Sequence, residues 1–214
     1  MRGAVLVLAM TMAAAATARA EGERAGVFDY WVLALSWSPS WCAAEGSARG
    51  SPQCESGRGH GWVLHGLWPQ YERGWPAHCP TVERAPSGSD TAALADLYGT
   101  SGSAWHQWNK HGTCSGLAAS DYYALSRRAY DTVTRPPLLR ELDRAVTLPA
   151  AVVEDAFLEV NPDLSADGLT VTCREGRIRE VRICLDRMLS PRRCGADVIR
   201  DCTLRDAAFP PIAR

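Results

Sequence analysis

Residues 28–37 (FDYWVLALSW) form a nearly continuous apolar run rich in aromatic and branched side chains, and the run stops ahead of Pro39. That pattern predicts a core strand. Residues 38–61 read as a loop carrying Cys42 and Cys54. Residues 62–65 read as a second strand, broken first by Gly66 and then at Trp68-Pro69, because the residue before a proline is pushed to extended geometry. Residues 72–89 are turn-rich, residues 92–98 predict a short helix, and residues 105–113 predict a longer one. Ser120 is suited to cap a helix over residues 121–133, and Pro136-Pro137 to start another that holds Arg140. A further helix over residues 149–160 ends at Asn161-Pro162. Residues 169–173 and 178–185 alternate as two strands joined at Glu175-Gly176, a hairpin signal, and the C-terminal stretch reads as loop. Strands interleaved with a block of helices predict an α+β fold, a central antiparallel sheet packed against several helices.

The first twenty residues stand apart from this pattern. Met1 and Arg2 give a short positive start, residues 5–12 an apolar core, and Ala18-Arg19-Ala20 an A-x-A cleavage signature. Residues 1–20 therefore predict a secretory signal peptide, residues 21–214 a single mature domain, and the localisation secreted or periplasmic. The run is too short and wrongly flanked for a membrane helix, and no later apolar run is long enough to span a bilayer. All eight cysteines fall in the mature part. In an exported chain an even count reads as a disulfide framework, with about 105 pairings open for eight cysteines. No C-x-x-C occurs, which removes zinc-ribbon and thioredoxin-type chemistry.

Charge narrows the function classes. The chain carries 23 basic and 24 acidic residues; without Arg2 and Arg19 the mature part has 21 against 24. A protein that holds nucleic acid by counterion release alone is expected to be basic, so any contact with RNA has to run through a local site. Of the 23 basic residues only Lys110 is a lysine, and it stands between His106 and His111.

On a helix at about 100° per residue, with His106 at zero, Lys110 falls near 40°, Gln107 near 100° and His111 near 140°. Four polar groups then share one arc, with Trp105 and Trp108 turned to the other side to anchor in a core. In the strand, alternation places His65 on the face of Val63 and opposite Trp62 and Leu64. Two imidazoles and an ammonium on one arc are costly to bury unless each finds a partner. A zinc site is the rival reading, but His106 and His111 are five apart with no H-E-x-x-H and no ligating carboxylate beside them. A serine or cysteine nucleophile has less support, since no G-x-S-x-G is present and the cysteines read as paired. Two histidines and a cation without a metal suit transfer within a phosphodiester: one imidazole takes a proton, the other gives one, and the cation offsets charge on the phosphorane. No cofactor is called for.

Trp62-Val63-Leu64-His65-Gly66-Leu67-Trp68-Pro69 and His106-Gln107-Trp108-Asn109-Lys110-His111-Gly112-Thr113-Cys114 resemble the two catalytic motifs of the ribonuclease T2 family. They occur in the family's order, after FDYWVLALSWSPSWC and before LTVTC and IREVRICLD, so the resemblance covers most of the mature chain. It implies that family's α+β fold and metal-independent cleavage of single-stranded RNA to 2′,3′-cyclic and then 3′-phosphates, with low base specificity. Position by position, it implies His111 as general base and His65 as general acid of the first step, with Lys110 stabilising the phosphorane and His106 holding the phosphate. Trp68 would stack on the base upstream of the cut, beside Gln70. It also implies the pairs Cys42–Cys54, Cys79–Cys114, Cys173–Cys202 and Cys184–Cys194. A monomer with no obligate protein partner is expected.

Three positions depart from the family's pattern. Gln107 stands where the family usually has Glu, and a neutral amide can bond a phosphate but cannot take up a proton. Removing one such transition-state interaction costs on the order of 10²-fold, so a slower enzyme is expected. Ser103 stands where a large apolar residue is common, in the region of the downstream base. Gln70 stands where an acidic or amide side chain reads the upstream base. Two other classes compete with an enzyme: a binding or inhibitory protein on the same fold, impaired by Gln107, and a disulfide-rich module with no site. Retention of His65, Lys110 and His111 favours the enzyme. His60 and His78 read as solvated loop residues, and Trp31, Trp37 and Trp41 as core.

Overall fold

A computed structural model describes residues 23–213, and the expected signal peptide lies outside these residues. The described chain is built on a six-stranded sheet of β1 (Tyr30–Trp37), β2 (Trp62–Gln70), β3 (Val146–Leu148), β4 (Leu169–Arg174), β5 (Arg177–Leu185) and β6 (Ala207–Phe209). The strand order is β2-β1-β5-β6-β3, with β4 paired to β5 off that path. Seven α-helical segments accompany it: α1 (Ser38–Trp41), α2 (Gly88–Ala92), α3 (Ala95–Tyr98), α4 (Ser101–Lys110), α5 (Ala119–Thr132), α6 (Pro137–Arg140) and α7 (Ala150–Val160). The class is α+β.

Alternation along the strands separates the two faces of the sheet. Trp31, Leu33, Leu35 and Trp37 of β1 point into the main core with Leu64 and Leu67 of β2 and Val181 and Ile183 of β5. Trp108 of α4, Tyr122 of α5 and Phe157 of α7 close over them. Trp37 stacks on Phe209 at 4.5 Å between ring centroids and lies 4.9 Å from Trp62. Each such apolar side chain contributes about 1.5–3 kcal/mol when fully buried, so this face supplies most of the stability. The other face carries a smaller cluster of Tyr30, Val32, Cys184 and Val198, and beside it the sheet floors a cleft.

Disulfides join Cys42 to Cys54, Cys79 to Cys114, Cys173 to Cys202 and Cys184 to Cys194. The second of these ties the turn after α4 to the irregular segment before α2.

Several elements differ from the sequence expectation. β2 continues through Gly66 and Pro69 to Gln70. It is an edge strand, so the N–H that proline lacks costs no ladder bond on the free side. The C-terminal stretch is not all loop: β6 pairs with β3, and both are three-residue strands too short to show a period. The sheet is not wholly antiparallel, because β5 and β6 run parallel where Arg177 meets Ala208. Within the expected loop 38–61 lie α1, a π turn (Cys42–Gly46) and a 3-10 turn (Pro52–Cys54). The expected helix 92–98 is two short ones, α2 starting earlier because Ser87 and Asp90 form a capping box. α4 begins at Ser101 rather than 105, since the Thr100 side chain accepts the Ser103 N–H, and it ends at His111, whose φ of −119° leaves the helix. α5 starts at Ala119, after Ala118, so Ser120 lies inside its first turn and caps nothing.

Candidate active site

His65 owes its position to a β-bulge. Along β1, Ala34 pairs with Gly66 and Leu35 with Leu64, so His65 is an extra residue in β2 with no partner across the ladder. A bulge re-aims side chains locally. Strict alternation would put His65, Leu67 and Pro69 on one face. The extra residue instead lets Leu64 and Leu67 both stay in the core while His65, Trp68 and Gln70 line the cleft.

A second bulge lies on the other side of β1. Thr172 pairs with Glu180 and Cys173 with Ile178, leaving Arg179 as the extra residue of β5. Glu180 and Arg182 pair with Ser36 and Ala34 of β1, whose small side chains let groups on β2 and β5 meet across the strand. The His65 Nδ1–H donates to Glu180 Oε1 at 2.6 Å. A carboxylate only accepts, so this bond fixes the proton on Nδ1 and leaves Nε2 free. Glu180 is 1% exposed. Arg182 donates to its second oxygen through Nε at 3.0 Å and Nη2 at 2.8 Å. Burial pushes the Glu180 carboxyl up, but the bond and charge of His65, followed by Arg182, outweigh it and hold the group down at about 2. It is therefore a buried, charged and paired carboxylate.

The opposite wall is α4. Its Ala104–Trp108 stripe, spaced i,i+4, enters the main core. Trp105 does not follow, contrary to expectation: it is 47% exposed, because α4 runs beside the sheet edge and only one narrow stripe meets the core. Gln107 is buried and its Oε1 accepts the Trp68 indole N–H at 2.9 Å. His111 stacks on the Trp68 ring at 5.2 Å and an interplanar angle of 26°, and His65 meets the same ring edge-on at 5.2 Å. The Arg182 guanidinium lies 5.4 Å from its centroid. Gly66 is needed beneath this group, since a Cβ there would strike both the Trp68 indole nitrogen and Gln107 Oε1.

His111 is fixed by its backbone: its N–H donates to Gln107 O at 2.9 Å and its carbonyl accepts from Cys114, which is disulfide-bonded to Cys79. Its ring is buried and Nδ1 has no partner among the described residues. Burial, followed by the charges of Lys110, His65 and His106, lowers its pKa to about 3. It is neutral across the ordinary pH range and keeps a lone pair for a proton. His106, at the surface, is lowered in the same sense by partial burial and then by Lys110. The Lys110 side chain has no ion-pair partner among the described residues.

His65, Trp68, Gln70, His106, Gln107, Lys110 and His111 thus line one cleft of about 350 Å³. The buried Gln70 amide oxygen at its wall has no hydrogen-bond partner among the described residues. Ser103 lines a recess next to the cleft, its hydroxyl engaged with Thr100 at 2.9 Å. Trp31 and Trp37 are core, while Trp41 is half-buried at the same recess.

Sequence reasoning missed Glu180, Arg179, Arg182 and Trp75. The available signal for Glu180 was a lone carboxylate among the arginines of β5. Trp75 is 54% exposed at the rim of the cleft, and its signal was a large aromatic in a turn-rich stretch between Gly74 and Pro76. The one set of three possible metal ligands in mutual reach among the described residues is Glu23, Cys79 and Cys114. Two of these are joined as a disulfide, so the trio is no donor set.

The sequence profile of the Ribonuclease T2 family matches residues 28–194. The chain belongs to the ribonuclease T2 family. Among its relatives, a ribonuclease of Aeromonas hydrophila is 44% identical over 128 residues, covering 59% of this chain and 56% of that protein. A probable ribonuclease of Haemophilus influenzae is 32% identical over 121 residues, covering 50% and 44%. The chain thus spans about half the length of these relatives. In three dimensions it is similar to an RNase-related protein from Calystegia sepium, with a TM-score of 0.65 and 19% identity over 87% of this chain and 98% of that one. It is equally similar to RNase NT in complex with 5′-AMP, with a TM-score of 0.65 and 22% identity over 87% and 100%. At such identities the likeness shows the T2 fold.

Proposed function

We propose that this T2-family chain is an endoribonuclease that cleaves single-stranded RNA without a metal, and that His65 and His111 are its acid and base. The observation that carries the reading is the asymmetry of the two imidazoles around Trp68. His111 is buried and neutral, its Nδ1 without a hydrogen-bond partner among the described residues; His65 is tied through Nδ1 to a buried carboxylate that orients its ring with Nε2 turned away from the pair. One is equipped to take a proton and the other to give one. In the first step His111 accepts the 2′-hydroxyl proton, the 2′-oxygen attacks phosphorus, the P–O5′ bond breaks, and His65 Nε2–H protonates the departing 5′-oxygen. The product is a 2′,3′-cyclic phosphate. Water then opens it with the roles exchanged, leaving a 3′-phosphate. Each proton transfer is worth about 10²–10⁴ in rate.

Lys110, without an ion-pair partner among the described residues, stabilises the phosphorane, and His106 holds a phosphate oxygen. Gln107 is occupied by the Trp68 N–H, so it positions the indole as well as facing the phosphate. Trp68 already carries His111 and Arg182 against its ring, which leaves Trp75 as the more exposed aromatic surface at the cleft. Stacking on such surfaces is sequence-tolerant and supports low base specificity, with the free Gln70 oxygen offered to the upstream base. Four disulfides support an oxidising compartment, secreted or periplasmic; no helix among the described residues is long and apolar enough to cross a membrane.

The test is the substrate class. Single-stranded RNA is expected to be cut, and a 2′-deoxy oligonucleotide of the same sequence left intact. Equal cleavage of both would contradict an attack by the 2′-oxygen.

A further inference from the structure

We propose that Arg179, with Arg174 beside it, binds the phosphate of the nucleotide downstream of the cut, so that the enzyme gains rate on substrates extended on the 3′ side. The inference rests on the ribonuclease reading of the cleft.

Arg179 is the bulged residue of β5, set into the cleft opposite α4. Its side chain is only 25% exposed, yet it makes no hydrogen bond among the described residues. It is held by two long ion pairs, Nε to Glu180 Oε1 and Nη1 to Glu45 Oε1, both at 3.5 Å. Charge-assisted bonds in good geometry are about 2.7–2.9 Å long. The carboxylates therefore hold the guanidinium in place without satisfying its five donors. Glu45 is meanwhile engaged by Arg174 Nη1 at 3.0 Å and by Arg49 Nη2 at 2.7 Å, and Arg174 also lies 3.6 Å from Glu175. Counting Arg182 on Glu180, four guanidiniums meet three carboxylates, a local positive excess in a chain whose acidic residues outnumber its basic ones. A half-buried planar fork with unmet donors and residual positive charge matches one chemistry above others, the bidentate recognition of a phosphate.

The side of the cut follows from its neighbours. His65 and Arg179 share the same oxygen of Glu180, which places Arg179 beside the acid that protonates the leaving group. Arg179 lines both the main cleft and the recess that holds Ser103 and Trp41, facing His106, which lines both from α4, whereas Lys110 lines the main cleft alone, where it serves the scissile phosphate itself. The phosphate within reach of Arg179 is thus the next one on the leaving side.

The experiment uses three substrates with one ribose each, and hence one cleavable bond: rU-dA, rU-dA-dA and dA-rU-dA. kcat and KM are measured for wild type, Arg179→Ala, Arg179→Lys and Arg174→Ala at several salt concentrations, with thermal melts to verify folding. For wild type, kcat/KM on rU-dA-dA is expected to exceed that on rU-dA by about 10-fold, the worth of hydrogen bonds to a charged group, carried mainly in KM. Arg179→Ala removes this advantage, Arg174→Ala reduces it, and Arg179→Lys keeps part of it. In Arg179→Ala one phosphate is no longer neutralised, so the slope of log kcat/KM against log salt on rU-dA-dA becomes shallower by about 0.7. Equal loss on all three substrates would show that Arg179 only positions Glu180 and would overturn the proposal. An Arg179-dependent gain seen with dA-rU-dA alone would overturn it too. If wild type cuts none of the three, the ribonuclease reading fails and the subsite with it.

Discussion

Replacing Glu180 by Gln removes one charge while keeping shape and an oxygen that can still accept the His65 Nδ1–H. The carboxyl is held at about 2 against an ordinary 4.5, a gap that corresponds to about 3 kcal/mol. This is the attraction left after burial has been overcome, and His65 supplies its largest favourable part. The charge-assisted bond that orients the His65 ring is worth about 1.5–3 kcal/mol, and weakening it lowers kcat/KM by about 10- to 100-fold. Arg182 loses the oxygen that accepts its Nε and Nη2 as well, and because its guanidinium is partly open to solvent the cost in stability is about 1.5–3 kcal/mol, the worth of a hydrogen bond to a charged group. The sign with pH follows from the depressed carboxyl: its contribution is fully present above about 4.5 and is lost as pH falls toward 2. Urea titrations of Glu180→Gln should therefore show a flatter pH dependence in that interval. The assay is cleavage of rU-dA between pH 4 and 9 for Glu180→Gln, His65→Ala and the double variant. If Glu180 acts through His65, the double variant is no slower than His65→Ala alone. A Glu180→Gln enzyme within twofold of wild type, or strictly additive losses in the double variant, would show that Glu180 does not act through His65.

Lys110→Met is expected to slow cleavage and to raise the acidic limb of kcat/KM, since Lys110 is the largest charge effect, after burial, holding His111 near 3; a limb that stays put or falls counts against this origin. Gly66→Ala is expected to cost about 1–3 kcal/mol by overpacking and at least 10-fold in rate by displacing Gln107 from Trp68, as measured by denaturation and steady-state kinetics. Replacing Cys79 and Cys114 together by Ser opens a loop of 35 residues and is expected to cost about 4 kcal/mol in urea unfolding. Activity should fall more steeply than stability as temperature rises, because the bond anchors the end of α4 that carries His111.

The apolar run of β1, the Asn161-Pro162 stop of α7, and the alternation and Glu175-Gly176 turn of the β4–β5 hairpin were legible, because burial and turn chemistry leave local marks in the sequence. The His106–His111 segment was legible too, since its polar side chains are too costly to group without purpose. What alternation could not show was the pair of bulges. A one-residue insertion in a ladder leaves no periodic trace, so neither the exit of β2 past Gly66 nor the aim of Arg179 could be read. Glu180 was hidden for a related reason. Its partner His65 is on β2, 115 residues earlier, and the two meet only because Ala34 and Ser36 between them are small. Trp105 was misplaced because a helical wheel gives angles but not where the sheet ends beneath the helix. Strands of three residues, β3 and β6, are held by their pairing and carry no signal of their own.

The central claim is a two-histidine, metal-free transphosphorylation. Its most direct test is the end group formed when purified protein cuts rU-dA in EDTA, with His65→Ala and His111→Ala alongside. Wild type is expected to cleave undiminished in chelator, with uridine 2′,3′-cyclic phosphate as the first product, and each variant to lose at least about 100-fold. Cleavage abolished by EDTA, a 3′-phosphate formed with no cyclic precursor, or either variant retaining wild-type rate would contradict it.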